Sequence, residues 1–270
     1  MPARCCIPLL LLLLTLADAP AAAEPPSTFW PDGARAAIVL TYDDALPSQL
    51  DTAAPQLEAS GFRGTFFLNA TFPAEDVPRW RAAAAAGHEL GNHSAFHPCP
   101  AASFPAERIF HAERWSVAAM LRDIAAMNTL LAAIDGEAAR TYSVPCSQTI
   151  VGGEDYVEPL RASGLVRHVR TGGDGDGIVR DPAAIDRFRV PSRSFTELNG
   201  AEDLIAFAEA VRAGGGLGIF MFHGVGGDHL AVSAEAHQAL LDWLAARRGE
   251  IWVAPFGEVI DHVAERAEGR

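Results

Sequence analysis

Short apolar runs rich in β-branched and aromatic residues alternate along this chain with stretches whose apolar positions recur every three to four residues. The first kind predicts strands at 36–42, 64–69, 88–90, 141–144, 165–169, 188–190, 217–222 and 251–253. The second predicts helices at 48–60, 78–86, 116–134, 155–163, 201–213, 233–247 and 256–267. Such alternation implies an α/β fold, a parallel sheet covered by helices and either closed as a barrel or left open. The glycines at 214–216 precede a strand, so they stop a helix and do not form a dinucleotide fingerprint.

Where the apolar runs stop, the polar residues that follow can do chemistry. The run 36–42 ends in Asp43 and Asp44, 88–90 leads into His93 and His97, 141–144 ends in Pro145 and Cys146, and 217–222 ends in His223. All four groups fall at strand C-termini, the end at which parallel α/β folds build their sites. One pocket is expected there.

The N-terminus sets the compartment. Arg4, the apolar run from Pro8 to Leu16 and the three alanines at 21–23 have the order of a secretory signal peptide over residues 1–23. That run is short for a bilayer, and no later stretch is read as a membrane span. The expectation is an exported protein, periplasmic or extracellular, in which residues 24–270 form a single domain without linker or repeat. A net charge of −13 speaks against nucleic acid as a partner and suits a neutral or cationic substrate. All 21 basic Lys/Arg positions are arginine, which excludes a P-loop lysine, a Schiff-base lysine and a Ser–Lys dyad together. Behind the leader only Cys99 and Cys146 remain, and in an oxidising compartment two cysteines point to a disulfide ahead of a metal site.

His93 and His97 stand four residues apart and would share one face of a helix. With Asp44 they make a two-histidine, one-carboxylate set that leaves positions open for water and substrate. The competing reading is a solvated helix or loop. Asp43 beside Asp44 permits a division of labour, in which Asp44 binds the ion and Asp43 takes a proton from water. Alternatively the pair caps the helix that begins near Ser48. His88, five residues before His93, is read as packing within its strand end.

In this order, LTYDD (40–44), GHELGNHSAFHP (87–98), SVPC (143–146) and IFMFH (219–223) resemble the motifs of the polysaccharide deacetylases, the NodB-homology or carbohydrate esterase family 4 enzymes. The resemblance covers about residues 36–265. It implies a distorted, incomplete (β/α) barrel of about seven parallel strands, and a divalent ion, commonly zinc, that polarises an acetyl carbonyl and activates water. Position by position it implies Asp43 as base, Asp44, His93 and His97 as metal ligands, and His223 as the acid toward the leaving amine or alkoxide. The backbone N–H of Cys146 matches the oxyanion donor. Acyl transfer needs each of these parts. The implied substrate is an N-acetyl or O-acetyl group on an oligo- or polysaccharide.

One departure matters. Ser143 stands where the family's third motif usually opens with an arginine that orients the base. Arg193, or else Arg189, is expected to reach Asp43 from the neighbouring segment 188–193. Tyr42 and His229 are the candidate substrate contacts, with a surface loop as the other reading of His229. Cys99 and Cys146 are expected to form a disulfide tying the metal loop to the oxyanion loop, two separate thiols being the alternative.

Two other functions use the same residues. An iron-dependent oxygenase needs the two histidines and Asp44 but neither Asp43 nor His223. A carbohydrate-binding relative without turnover is motivated by Ser143. Three features are set aside: the glycine-rich 172–177 as a surface turn and not a calcium loop, the sequon at 69–71 as unglycosylated, and Trp80, Trp115 and Trp243 as packing residues.

Overall fold

The computed structural model describes Met1 and residues 29–103, 107–172 and 176–269. The expected leader lies, apart from Met1, outside them, as does the middle of the 172–177 turn. The strands are β1 (Ala36–Asp43), β2 (Thr65–Leu68), β3 (Glu89–Asn92), β4 (Thr141–Ser143), β5 (Ile150–Val151), β6 (Glu154–Asp155), β7 (His168–Arg170), β8 (Ile178–Val179), β9 (Arg193–Ser194), β10 (Leu217–Phe222) and β11 (Ile251–Val253). The helices are α1 (Ala54–Ala59), α2 (Val77–Ala85), α3 (Val117–Asp135), α4 (Val157–Ser163), α5 (Ala201–Gly214), α6 (Ala234–Ala245) and α7 (Phe256–Ala267).

The main sheet runs β7-β4-β3-β2-β1-β10, all parallel. β1 lies at its centre and is buried along its whole length, which is why it reads as an unbroken apolar run. One edge of β1 is shared: β11 pairs with its start at Ala36–Ile38 and β2 with its end at Thr41–Asp43. These seven parallel strands curl into an open half-barrel, the distorted and incomplete (β/α) barrel expected. The two-residue strands β8 and β9 add to β10, and β5 with β6 forms a separate hairpin.

Alternation along β1 sorts the core into two layers. Ile38, Leu40 and Tyr42 pack against Leu57 of α1, Leu204 and Phe207 of α5, and Leu240 of α6. Ala37 and Val39 face the other layer, which Phe256, Val259 and Ile260 of α7 share with Trp30. Trp80 is fully buried in the first layer, while Trp115 and Trp243 are half-buried. Helix α3 is long and apolar enough, by length and composition, to cross a membrane, contrary to the reading that no later stretch is. In the fold Met120, Ile124, Met127, Leu131 and Ile134 form its buried stripe, spaced as an amphipathic helix requires, and it packs on β3.

The expected strand at 188–190 is absent. Val190 makes a single parallel bridge to Arg170, and Pro191 next to it has no N–H with which to continue a ladder. Instead the segment crosses the open side of the half-barrel: Val190 N–H donates to Val169 O at 3.0 Å, and three residues on, β9 pairs with β10. The helix expected at 48–60 opens with a π-helical turn, Gln49–Ala53, before α1. Pro55 cannot donate to the carbonyl four residues back, so the regular register is interrupted there.

Candidate metal centre

At the C-terminal end of the sheet β1 delivers Asp43 and Asp44, β3 leads into His93 and His97, β4 ends at Ser143 and β10 at His223. Asp44 turns into the left-handed region (φ 79°) directly after β1, which lets two neighbouring carboxylates enter one site. Three donor atoms converge: His93 Nε2 and His97 Nε2 are 3.1 Å apart, and Asp44 Oδ1 is 3.5 Å from the first and 3.2 Å from the second. His93 Nδ1–H donates to Ser143 O at 2.8 Å, which fixes the tautomer and leaves the Nε2 lone pair facing the other two donors. Ligands at ordinary zinc distances around a tetrahedral ion stand about 3.4 Å from one another. The residues therefore fit a divalent cation.

The second oxygen of Asp44 is also engaged. His229 Nε2 donates to Oδ2 at 3.0 Å, and His223 Nε2 lies 3.9 Å from the same atom. His229 reaches back because the loop after β10 folds tightly. A Cβ on Gly224 would sit 2.0 Å from Gly227 O, so only glycine fits there. Ser48 pins the loop, its N–H donating to Asp228 Oδ2 at 2.8 Å and its hydroxyl to Gly227 O at 3.2 Å. Asp228, not the Asp43–Asp44 pair, thus meets the start of the 48–60 helix. Asp44 is held well below the usual carboxylate range: burial alone would raise it, but His229, His93, His97 and His223 together outweigh that. His97 is lowered to about 4 by burial and by His93, so its imidazole is neutral and ready to bind an ion near pH 7. Burial also lowers His223, against the pull of Asp43 and Asp44.

Asp43 is buried, and its Oδ2 is met by the guanidinium of Arg170. The same Nη2 contacts Ser143 Oγ, while Nη1 donates to Ser192 Oγ at 2.9 Å. Among the described residues Asp43 Oδ1 is buried with no hydrogen-bond partner, an acceptor left for a group that enters the site. The expected partner, Arg193, lies elsewhere: its guanidinium sits over the rings of Phe195 and Phe207, at 5.2 and 5.4 Å, because β9 turns it away onto the α5 side. Arg189 pairs with Asp155 at 2.9 Å. Arg170 was legible by the same rule that picked out the other residues, since it ends the apolar run 165–169.

Tyr42 is also corrected. It is fully buried, its ring stacked between Phe66 and Phe222, and its hydroxyl meets His237 Nε2 at 2.7 Å, so it cannot touch a substrate. His237 Nδ1–H donates to Gln56 Oε1 at 2.7 Å, so Nε2 is the acceptor and the ring is neutral. Burial lowers His237 to about 3. The unfolded chain takes up a proton near pH 6.5 that the folded protein refuses, so stability should fall as pH drops from about 6.5 toward 3. Thermal melts at pH 7 and pH 5 check this. In His237→Gln the melting temperature should start lower and drop less on acidification; an equal drop would place the acid sensitivity elsewhere.

The remaining residues hold the loops. Cys99 and Cys146 are joined by a disulfide, Cα atoms 5.7 Å apart, and Cys99 Sγ lies 3.4 Å from His97 Nδ1. The bond tethers the turn that bears the Cys146 backbone N–H to the loop of His97. Asn69, of the sequon, is buried, its Nδ2 donating to Asp44 Oδ1 at 3.2 Å and its Oδ1 accepting from the Thr71 hydroxyl. His88 sits at the far end of β3, accepting from Gly64 N–H at 3.1 Å, away from the three ligands. Asp123 of α3 was missed by the sequence reading: it accepts from Ser94 Oγ at 2.5 Å, Ala95 N–H at 2.8 Å and Phe96 N–H at 3.2 Å.

Comparison with known proteins bears on the family and the fold. Residues 31–152 match the family model described as polysaccharide deacetylase. A putative polysaccharide deacetylase from Mycobacterium smegmatis superposes over 90% of this chain and 94% of its own, with 18% identity and a TM-score of 0.63. The peptidoglycan deacetylase PdaC from Bacillus subtilis does so over 87% and 94%, with 17% identity and a TM-score of 0.55. BA3943 from Bacillus anthracis, a CE4 family pseudoenzyme, covers 84% of this chain with 66% of its own, at 15% identity and a TM-score of 0.54. No curated protein sequence matches the chain.

Proposed function

Because the chain belongs to the polysaccharide deacetylase family, we propose that it is an exported, metal-dependent deacetylase that hydrolyses N-acetyl or O-acetyl groups of a carbohydrate. The observation that carries this reading is the convergence of Asp44, His93 and His97 beside a buried Asp43 that keeps one oxygen unpaired. When bound, a divalent ion, zinc above all, supplies a Lewis acid for the acetyl carbonyl and lowers the pKa of water.

The chain's own residues do the rest. Asp43, its Oδ2 held by Arg170, accepts the proton of the attacking water. The Cys146 N–H donates to the developing oxyanion. His223 gives the proton to the leaving nitrogen or oxygen as the C–N or C–O bond breaks and acetate departs. Burial lowers His223, so the proton that Asp43 takes from water passes to His223 before the C–N or C–O bond breaks, and both residues end as they began. The acidic chain favours neutral or cationic saccharides.

The alternative of a saccharide-binding relative without turnover drew its motive from Ser143. Arg170 supplies the cation that Ser143 cannot, which supports the catalytic reading. The test is acetate release from a panel of N-acetylated and O-acetylated saccharides by the zinc-loaded protein, before and after chelation. Release that stops on chelation and returns with zinc is expected. Saccharide binding with no release from any member would favour the alternative.

A further inference from the structure

Among the described residues, Met1 apart, five large apolar side chains stand exposed: Phe96 (57%), Ile109 (63%), Ile150 (37%), Leu198 (86%) and Leu230 (42%). Single exposed apolar residues need no explanation. These five, however, are not scattered. Phe96 and Ile109 lie between β3 and α3, Ile150 between β4 and α4, Leu198 between β9 and α5, and Leu230 between β10 and α6. Each is on a connection that leaves a strand C-terminus, the end that carries the metal centre. The described connections at the opposite end contribute none.

Phe96 is the member nearest the chemistry, one residue before His97. Its ring stands 6.2 Å from that of Phe110 and 6.2 Å from that of Trp115, centroid to centroid. The group is built rather than loose: Phe96 N–H donates to Asp123 Oδ1 at 3.2 Å, and Trp115 Nε1–H to Ile109 O at 2.8 Å. A fixed aromatic surface open to solvent beside a site implies a ligand with an apolar face.

Resting on the deacetylase reading, we propose that Phe96, backed by Phe110 and Trp115, is a stacking platform for the C–H face of a pyranose ring neighbouring the acetylated sugar. The enzyme then takes oligosaccharides in preference to single sugars. Charge argues for this occupant over a bilayer: a chain of net charge −13 is repelled by an anionic lipid surface, whereas a neutral saccharide is not.

The test has a binding arm and a turnover arm. Calorimetry measures binding of the β-1,4-linked tetramer of N-acetylglucosamine, and of an acetylated xylose tetramer, to the metal-free wild type and to Phe96→Ala, a change at an exposed position. A roughly 10-fold weaker Kd in the variant is expected for the tetramer that binds. With zinc-loaded protein, KM for that tetramer should rise by a similar factor, more than kcat falls and more than KM for the single sugar rises. Equal Kd values in wild type and variant, or wild-type binding to neither tetramer, overturn the platform. Flotation of the wild type, but not of Phe96→Ala, with phosphatidylcholine vesicles would make the rim a membrane contact and overturn it as well. Loss of the deacetylase reading looks different: no acetate is released from any saccharide, and the binding arm still decides the platform.

Discussion

Arg170→Met should lower kcat/KM by about 10²- to 10⁴-fold, the range of a lost general base, and destabilise the fold by about 3–5 kcal/mol. Both effects have one cause. Arg170 is 1% exposed and Asp43 is 2% exposed, so removing the guanidinium leaves the buried Asp43 Oδ2 without the charged donor that holds it. Zinc binding should survive, because Asp44, His93 and His97 make their contacts without Arg170. Acetate-release kinetics, chemical denaturation and metal content together check this. Turnover within about two-fold of wild type would remove Arg170 from the mechanism.

The same pair of positions offers a rescue. Ser143 on β4 and Arg170 on β7 are register partners on adjacent parallel strands, and the Arg170 Nη2 already touches Ser143 Oγ. The guanidinium expected at the opening of the third motif is thus supplied from the adjacent strand, where Arg170 meets Asp43 beside Ser143. The double variant Ser143→Arg/Arg170→Ser should therefore recover part of the turnover that Arg170→Met loses. Arg170→Lys should recover less, since an ammonium cannot hold Asp43 and Ser192 together as the two guanidinium nitrogens do.

That shift also shows what was legible in the sequence. The seven parallel strands of the half-barrel follow from apolar runs, and Asp43, Asp44, His93, His97 and His223 follow from polar residues set at the ends of those runs. Arg170 obeys the same rule, but the sequence does not show that its strand lies beside β4, so a guanidinium at 170 reads no differently from those at 189 and 193. Tyr42 was misplaced for a different reason. It adjoins Asp43, but in a strand successive side chains point to opposite faces, and its ring goes into the helical layer. Asp123 left no usable signal: a lone carboxylate in an apolar helical stripe reads as a mispatterned residue until the loop it serves has been folded onto it.

Asp123→Ala should weaken zinc affinity by about 10- to 100-fold and cost about 3 kcal/mol of stability, although the side chain touches no ligand. The loop between His93 and His97 holds two non-glycine residues in the left-handed region, Ser94 (φ 63°) and His97 (φ 50°), a conformation that persists only where the surroundings impose it. Asp123 imposes it. Its carboxylate takes the Ser94 hydroxyl and the N–H groups of Ala95 and Phe96, and Ser94 Oγ in turn accepts the His97 N–H at 3.1 Å. Without it, two backbone donors and a buried hydroxyl lose their acceptor at once, and the His97 ring loses the turn that aims it at His93. Asp123→Asn keeps the shape and one accepting oxygen, so its losses in affinity and stability should fall between those of wild type and alanine. Competition with a zinc chelator measures the first and thermal melting of the metal-free protein the second. If alanine lowers the melting temperature but leaves zinc affinity unchanged, Asp123 supports α3 and not the metal loop, and the aim of His97 must be set by the disulfide beside it.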